Sequence, residues 1–182
     1  AWNEDNDIRF YRMSSDIFPW ASEYNYYDLP HYKEIKYWLR CAGDAATKME
    51  HRLTFHPGPF NCLASPNFEV VEKTYKELNN HSRIFDMMGF EPSHYNKINI
   101  HVGGTYGDKD ATAKRFIENF HRPGGLDENT KKRFTLENDD KESMWSTKEI
   151  YDKIFHETGI PIVFDYHHHR FCTGGLTEQE AV

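Results

Sequence analysis

Two apolar runs in this chain stop at a histidine, a third stops at carboxylates, and a fourth stops at an aspartate followed by three histidines. Leu53-Thr54-Phe55 leads into His56-Pro57-Gly58, and Ile98-Asn99-Ile100 leads into His101-Val102-Gly103-Gly104. Phe134-Thr135-Leu136 leads into Glu137-Asn138-Asp139-Asp140, and Pro161-Ile162-Val163-Phe164 leads into Asp165-Tyr166-His167-His168-His169. Short apolar runs bounded by glycine and proline read as buried parallel strands. Parallel strands deliver their C-terminal residues to one face of a sheet. Imidazole and carboxylate gathered there make a ligand set for a divalent metal, at the top of an α/β barrel.

The rest of the chain fits that frame. Ile8–Asp16 reads as a further strand, one of alternating character. Helical spacing follows each strand. Tyr32, Ile35, Trp38, Leu39 and Ala42 form one apolar stripe, predicted to pack on the sheet. A helix from Asn67 to about Met88 buries Val71, Tyr75, Leu78 and Phe85 and stops at Gly89. Another covers Ala111–Phe120. Ser146-Thr147-Lys148-Glu149 is a capping box that opens a helix with Ile150 and Ile154 inward, closed by Gly159, and Thr177-Glu178-Gln179-Glu180 is a second such box close to Val182. The predicted fold is therefore α/β, a partial TIM (β/α)8 barrel of about five β/α units in a single domain over 1–182. A closed barrel typically needs about 250 residues, so further strands are expected at both ends.

Composition sets outer bounds. The 182 residues carry a formal charge of −7, which argues against a basic coat for nucleic acid. It does not argue against a nucleic-acid enzyme, because bound cations return positive charge where phosphate would sit. Cys41, Cys62 and Cys172 show no close spacing and are odd in number, so free thiols are expected. No run of about 18 apolar residues marks a membrane span.

Within Asp165–His169, strand alternation would put Asp165, His167 and His169 on one face, but the strand is expected to end near Asp165. Spacing alone leaves the choice among the three imidazoles open. At least one of Asp139 and Asp140 reads as a cap or loop residue. The glycines at 103, 104 and 107 suit either a backbone approach to phosphate or a plain tight turn. His31, His51, His81, His94, His121 and His156 lie away from the strand ends and are assigned no role.

Together, Arg9-Phe10-Tyr11-Arg12-Met13-Ser14-Ser15-Asp16, the His56-Pro57-Gly58 stretch, Asn99-Ile100-His101-Val102-Gly103-Gly104-Thr105-Tyr106-Gly107-Asp108-Lys109, Leu136–Asp140 and Val163–His169 resemble the UV damage endonuclease family. The motifs occur in the family's order along nearly the whole chain. Pro19-Trp20-Ala21-Ser22-Glu23-Tyr24 looks most like members from fungi and some bacteria. The resemblance implies a TIM barrel and a cluster of divalent metals, most often manganese, with zinc or magnesium as alternatives. It implies hydrolysis of the phosphodiester immediately 5′ to a cyclobutane pyrimidine dimer or 6-4 product in double-stranded DNA. Carried over residue by residue, His56, His101, Glu137, Asp165 and His168 match the metal ligands. His101 and Glu137 are also the catalytic residues of the resemblance, with Glu137 bridging two metals, and the Asp-x-x-His spacing selects His168. Pro59, Phe60, Ser15 and Lys109 fall where DNA and the lesion are met. The implied molecule is a monomer inside the cell, in the nucleus or mitochondrion of a fungus or the cytoplasm of a bacterium.

Three departures qualify the likeness. Many members carry glutamine and an aromatic residue where Pro59 and Phe60 stand, and a histidine where Glu23 stands. The family's first strand, its last strands and their further ligands have no counterpart here. The 182-residue chain by itself is accordingly expected to fold poorly or bind metal incompletely. The competing readings are an abasic-site endonuclease or a sugar isomerase or epimerase on the same barrel, and an inactive DNA- or metal-binding remnant.

Overall fold

In the computed structural model, which describes residues 2–182, five strands lie side by side in chain order, each parallel to the next. They are β1 (Phe10–Met13), β2 (Arg52–Phe55), β3 (Ile98–His101), β4 (Phe134–Glu137) and β5 (Ile162–Val163). Parallel neighbours joined through helices, with no strand out of order, form an arc of a TIM barrel. Register runs over four residue pairs both between β1 and β2 and between β3 and β4. Ile98 pairs with Phe134, Asn99 with Thr135, Ile100 with Leu136 and His101 with Glu137.

A short α1 (Trp2–Asp5) precedes β1, and α2 (Tyr32–Lys48) follows it. The long α3 (Phe68–Met88) follows β2. Its first turn is capped by Asn67, which accepts the Glu69 N–H at 3.0 Å, and Gly89 ends it at φ 86°. α4 (Lys109–His121) is capped by Asp108, which accepts from Ala111 N–H at 2.9 Å. A short α5 (Glu128–Arg133), absent from the sequence reading, leads into β4. Beyond β4 the Ser146 capping box forms with both of its bonds, opening α6 (Thr147–Ile150). A π-helical turn over Tyr151–Phe155 carries that helix into α7 (His156–Thr158), closed by Gly159. After β5 come α8 (Tyr166–His169) and α9 (Glu178–Ala181), the latter opened by a complete capping box at Thr177.

The core lies between the strands and α3, α4 and α6. Phe55, Leu78, Phe85, Ile98, Phe116, Phe134, Leu136, Ile150 and Ile154 are fully enclosed. On β3 and β4 the alternation of side chains sends Ile98, Ile100, Phe134 and Leu136 into this apolar layer. Asn99, Thr135 and Glu137 fall on the opposite face, where they bond to one another.

Three expectations need correction. In α2 the packed stripe is Tyr32, Ile35, Leu39, Gly43 and Ala46, whereas Trp38 is 61% exposed and Ala42 lies on the open side. Helical spacing places Trp38 inward, but the close approach of α2 to α3 selects glycine at the contact, with Gly43 set directly against the Met88 carbonyl. β1 is shorter than Ile8–Asp16 and is an edge strand, with Phe10 and Tyr11 half exposed. β5 is two residues long and only partly buried, because Asp165 already caps the next helix.

Candidate metal centre

The strand ends bring His56, His101 and Glu137 together. His56 Nε2 lies 3.5 Å from Glu137 Oε2, and His101 Nε2 lies 4.0 Å from Glu137 Oε1. The imidazole rings of His56 and His101 are 5.3 Å apart, and those of His101 and His168 are 5.4 Å apart. Glu137, Asp165 and His168 form a second group, so Glu137 belongs to both sets of three donors. The residues that could hold a metal ion are therefore His56, His101 and Glu137 on one side and Glu137, Asp165 and His168 on the other.

The local chain explains how Asp165 and His168 reach the same place. Asp165 is the N-cap of α8, and its Oδ1 accepts the His168 N–H at 2.9 Å. Helical geometry three residues on then places His168, rather than His167 or His169, beside Glu137. The expected strand parity is replaced by a helix start. His169 turns away and bonds the Leu176 carbonyl at 3.2 Å, while His167 stays exposed. Asn138 clamps this corner, accepting the Asp165 N–H at 2.7 Å and donating to the Asp165 carbonyl at 3.1 Å.

Electrostatics follow from burial beside opposite charge. Burial pushes the Glu137 carboxyl upward, but bonds and charge from His56, His101 and Asn99 outweigh it and hold Glu137 below its ordinary value. The same bond, accepted by Glu137, leads a net rise at His56. His101 is lowered, chiefly by burial, and so tends to the neutral form that ligates metal. Burial raises the Asp139 carboxyl to about 6.

Two clefts flank these residues. One, of about 390 Å³, is bounded by Arg12, His56, Pro59, His101, Gly103 and Asp139. The other, of about 760 Å³, is bounded by Arg12, Ser15, Trp20, His56, Pro59 and Phe60. Phe60 stands on its rim at 89% exposure and Trp20 at 85%. Ser15 and Pro59 thus reach the site. Lys109 is committed elsewhere, with its Nζ 2.6 Å from Glu149 Oε1 and the Trp145 ring beneath it. In the glycine-rich turn, Gly103, at φ 98°, sits against the Cys62 sulfur, where any side chain would collide. The sequence reading passed over Arg12, Trp20 and Asn99. Arg12 makes no ion pair among the described residues, although it lines both clefts. Asn99 had a readable signal, being a polar residue two before His101 in an apolar run.

The family model for UV-endonuclease UvdE matches residues 1–182. The chain belongs to the UvdE family. Among its UvdE relatives, a UV-damage endonuclease of Neurospora crassa is 40% identical over 94% of this chain and 26% of its own length. A UV DNA damage endonuclease of Bacillus pumilus is 37% identical over 90% of this chain and 48% of its own. The crystal structure of SacUVDE superposes with a TM-score of 0.85 at 35% identity, covering 99% of this chain and 58% of that one. The chain thus spans about half, or less, of the length of the curated UvdE proteins it matches.

Proposed function

We propose that residues 1–182 form one domain of a UV damage DNA endonuclease. The enzyme is a divalent-metal-dependent hydrolase that acts as a monomer on double-stranded DNA. It cuts the phosphodiester immediately 5′ to a cyclobutane pyrimidine dimer or 6-4 photoproduct and so starts excision repair. The observation that carries this reading is the sharing of Glu137 between two donor groups, at the ends of consecutive parallel strands, in a chain of the UvdE family. The greater identity to fungal relatives supports a nuclear or mitochondrial site of action, and a bacterial source would put it in the cytoplasm.

The donor set suits such a centre. It combines imidazole and carboxylate without thiolate, a composition that favours manganese, with zinc or magnesium as alternatives. His56, His101, Glu137, Asp165 and His168 would hold the ions, which supply a more acidic bound water and charge to oppose that building on phosphate. The chain's own groups do the rest. Asn99 fixes one Glu137 oxygen by a hydrogen bond, so the carboxylate keeps its orientation. His56 turns its Nδ1 toward the Pro57 carbonyl at 3.3 Å, which leaves Nε2 facing Glu137. Arg12 and Ser15 line the cleft in which a phosphate backbone would run. Phe60 offers a flat apolar ring to stack on a base or wedge between two, with Pro59 stiffening its approach. Lys109 meets DNA only by exchanging its bond to Glu149.

Nicking of a duplex carrying one cyclobutane dimer, by the protein extended to its full reading frame, tests the proposal. The expected result is a manganese-dependent cut 5′ to the dimer, abolished by chelator and by His101→Ala. Cleavage at abasic sites alone would move the activity to the related reading, and no cleavage of either substrate would refute the nuclease.

A further inference from the structure

The histidines facing Glu137 do not secure their second nitrogen alike. His56, whose Nε2 faces Glu137, has its Nδ1 3.3 Å from the Pro57 carbonyl, whereas His168 turns its Nδ1 both to the Asn138 carbonyl at 2.8 Å and to Glu137 Oε1 at 3.6 Å. His101 Nδ1 is buried and forms no hydrogen bond. The carboxylate beside it is that of Asp139, whose Oδ1 stands 3.3 Å away, close but not aligned. Asp139 is itself buried, at 7% exposure, and held on its far side. Its Oδ2 accepts the Trp145 N–H at 3.3 Å, and its own N–H donates to the Trp145 carbonyl at 2.8 Å. The Trp145 indole N–H in turn donates to the Gly103 carbonyl at 2.9 Å, two residues beyond His101. One carboxylate oxygen is therefore anchored and the other is aimed at an orphaned imidazole nitrogen.

We propose that Asp139 is a positioning residue for His101. Its Oδ1 accepts the Nδ1–H of His101, fixes that tautomer, and leaves the Nε2 lone pair, on the Glu137 side, as a metal donor. Free imidazole favours the proton on Nε2, which would block ligation, so a buried site needs an acceptor at Nδ1 to reverse the preference. A carboxylate does more than the carbonyl behind His56, because its negative charge also raises the basicity of the donor nitrogen. A small rotation of the imidazole completes the alignment, as happens when a ligand draws on the opposite nitrogen. The identity of the metal rests on the functional reading above, whereas the tautomer does not.

Histidine ¹⁵N spectra of the metal-free protein at neutral pH, paired with manganese titration followed by electron paramagnetic resonance, test this. Wild-type His101 is expected to carry its proton on Nδ1. Asp139→Asn keeps an oxygen for the Trp145 N–H but turns an NH2 donor toward His101. It should invert the tautomer and weaken manganese binding roughly 10–100-fold in a chain that still unfolds cooperatively. Trp145→Phe, which keeps the carboxylate and removes the indole bond to Gly103, should lower stability and retain the tautomer. Unchanged tautomer and unchanged affinity in folded Asp139→Asn would overturn the proposal and leave Asp139 as a loop anchor. A wild-type protein that takes up no manganese would instead refute the functional reading, while the tautomer comparison would still decide the role of Asp139.

Discussion

At the scale of single residues, the site depends on a few side chains whose neighbours fix their charge. Glu137 is the shared donor, so Glu137→Gln should reduce the manganese bound per chain and cut nicking by two orders of magnitude or more, of the size seen when an electrostatic stabiliser is removed. Elemental analysis and the nicking assay read the two effects separately. Arg12→Ala should weaken DNA binding evenly across sequences and lower the salt slope of log affinity by about 1, as for the loss of one phosphate contact. Asp139 makes a prediction about pH. Its folded-state value of about 6 lies above the ordinary carboxyl value of 3.8, so the folded metal-free chain holds a proton that the unfolded chain releases. Its contribution is full below the unfolded value and is lost as pH rises through about 6, with a loss of roughly 3 kcal/mol. Urea denaturation of the chelated protein across that window, compared with Asp139→Asn, should show the wild type losing stability relative to the variant as pH rises. The residues that carry this chemistry were readable because histidine and carboxylate are conspicuous at the ends of apolar runs. The place of Asp139 was not, since it depends on which side chain the fold sets beside it.

At the scale of elements, caps and close approaches decide where each side chain ends up. The Asp165 cap turns what read as a strand end into the first turn of α8, and so carries His168 to Glu137. The Ser146 box starts α6, with its hydroxyl accepting from Glu149 N–H at 3.3 Å while Glu149 Oε2 takes the Ser146 N–H at 3.0 Å. Ser146→Ala should cost about 1 kcal/mol in urea unfolding, the usual value for a lost N-cap. Gly43 faces the Met88 carbonyl with no room for a methyl group. Gly43→Ala should push α2 off α3 and cost about 2 kcal/mol, in the range for overpacking, even though alanine favours helices. A thermal melt distinguishes the two, because improved helix propensity would raise the midpoint. The two capping boxes, Asn67 and Gly89 were all legible as local signals. Trp38 was not, because a helical stripe tells which residues share a side and not which neighbour that side meets.

At the scale of the molecule, five parallel units place every candidate donor on one face, and the opposite end carries stability. There Arg133, wholly enclosed, pairs with Asp86 at 2.8 Å and donates to the Phe90 carbonyl at 2.7 Å. The sheet's outer strands are its weak points, since β1 leaves Phe10 and Tyr11 half exposed and β5 offers two residues. Open edges with exposed aromatics favour self-association, so the 182-residue chain should elute as a mixture of sizes in size-exclusion chromatography. With a formal charge of −7, its DNA affinity should depend on divalent metal as much as on salt. The sequence by itself determined the alternation of strand and helix, the barrel class, the helix caps and the candidate donors His56, His101 and Glu137, because periodicity, capping and strand ends are local properties of the chain. Only the tertiary structure decided that Asp139 stands beside His101, that Lys109 is spent on Glu149, and that Trp38 lies open while Gly43 lies closed. Those outcomes depend on distances between residues far apart in the chain, which packing sets and local pattern does not encode.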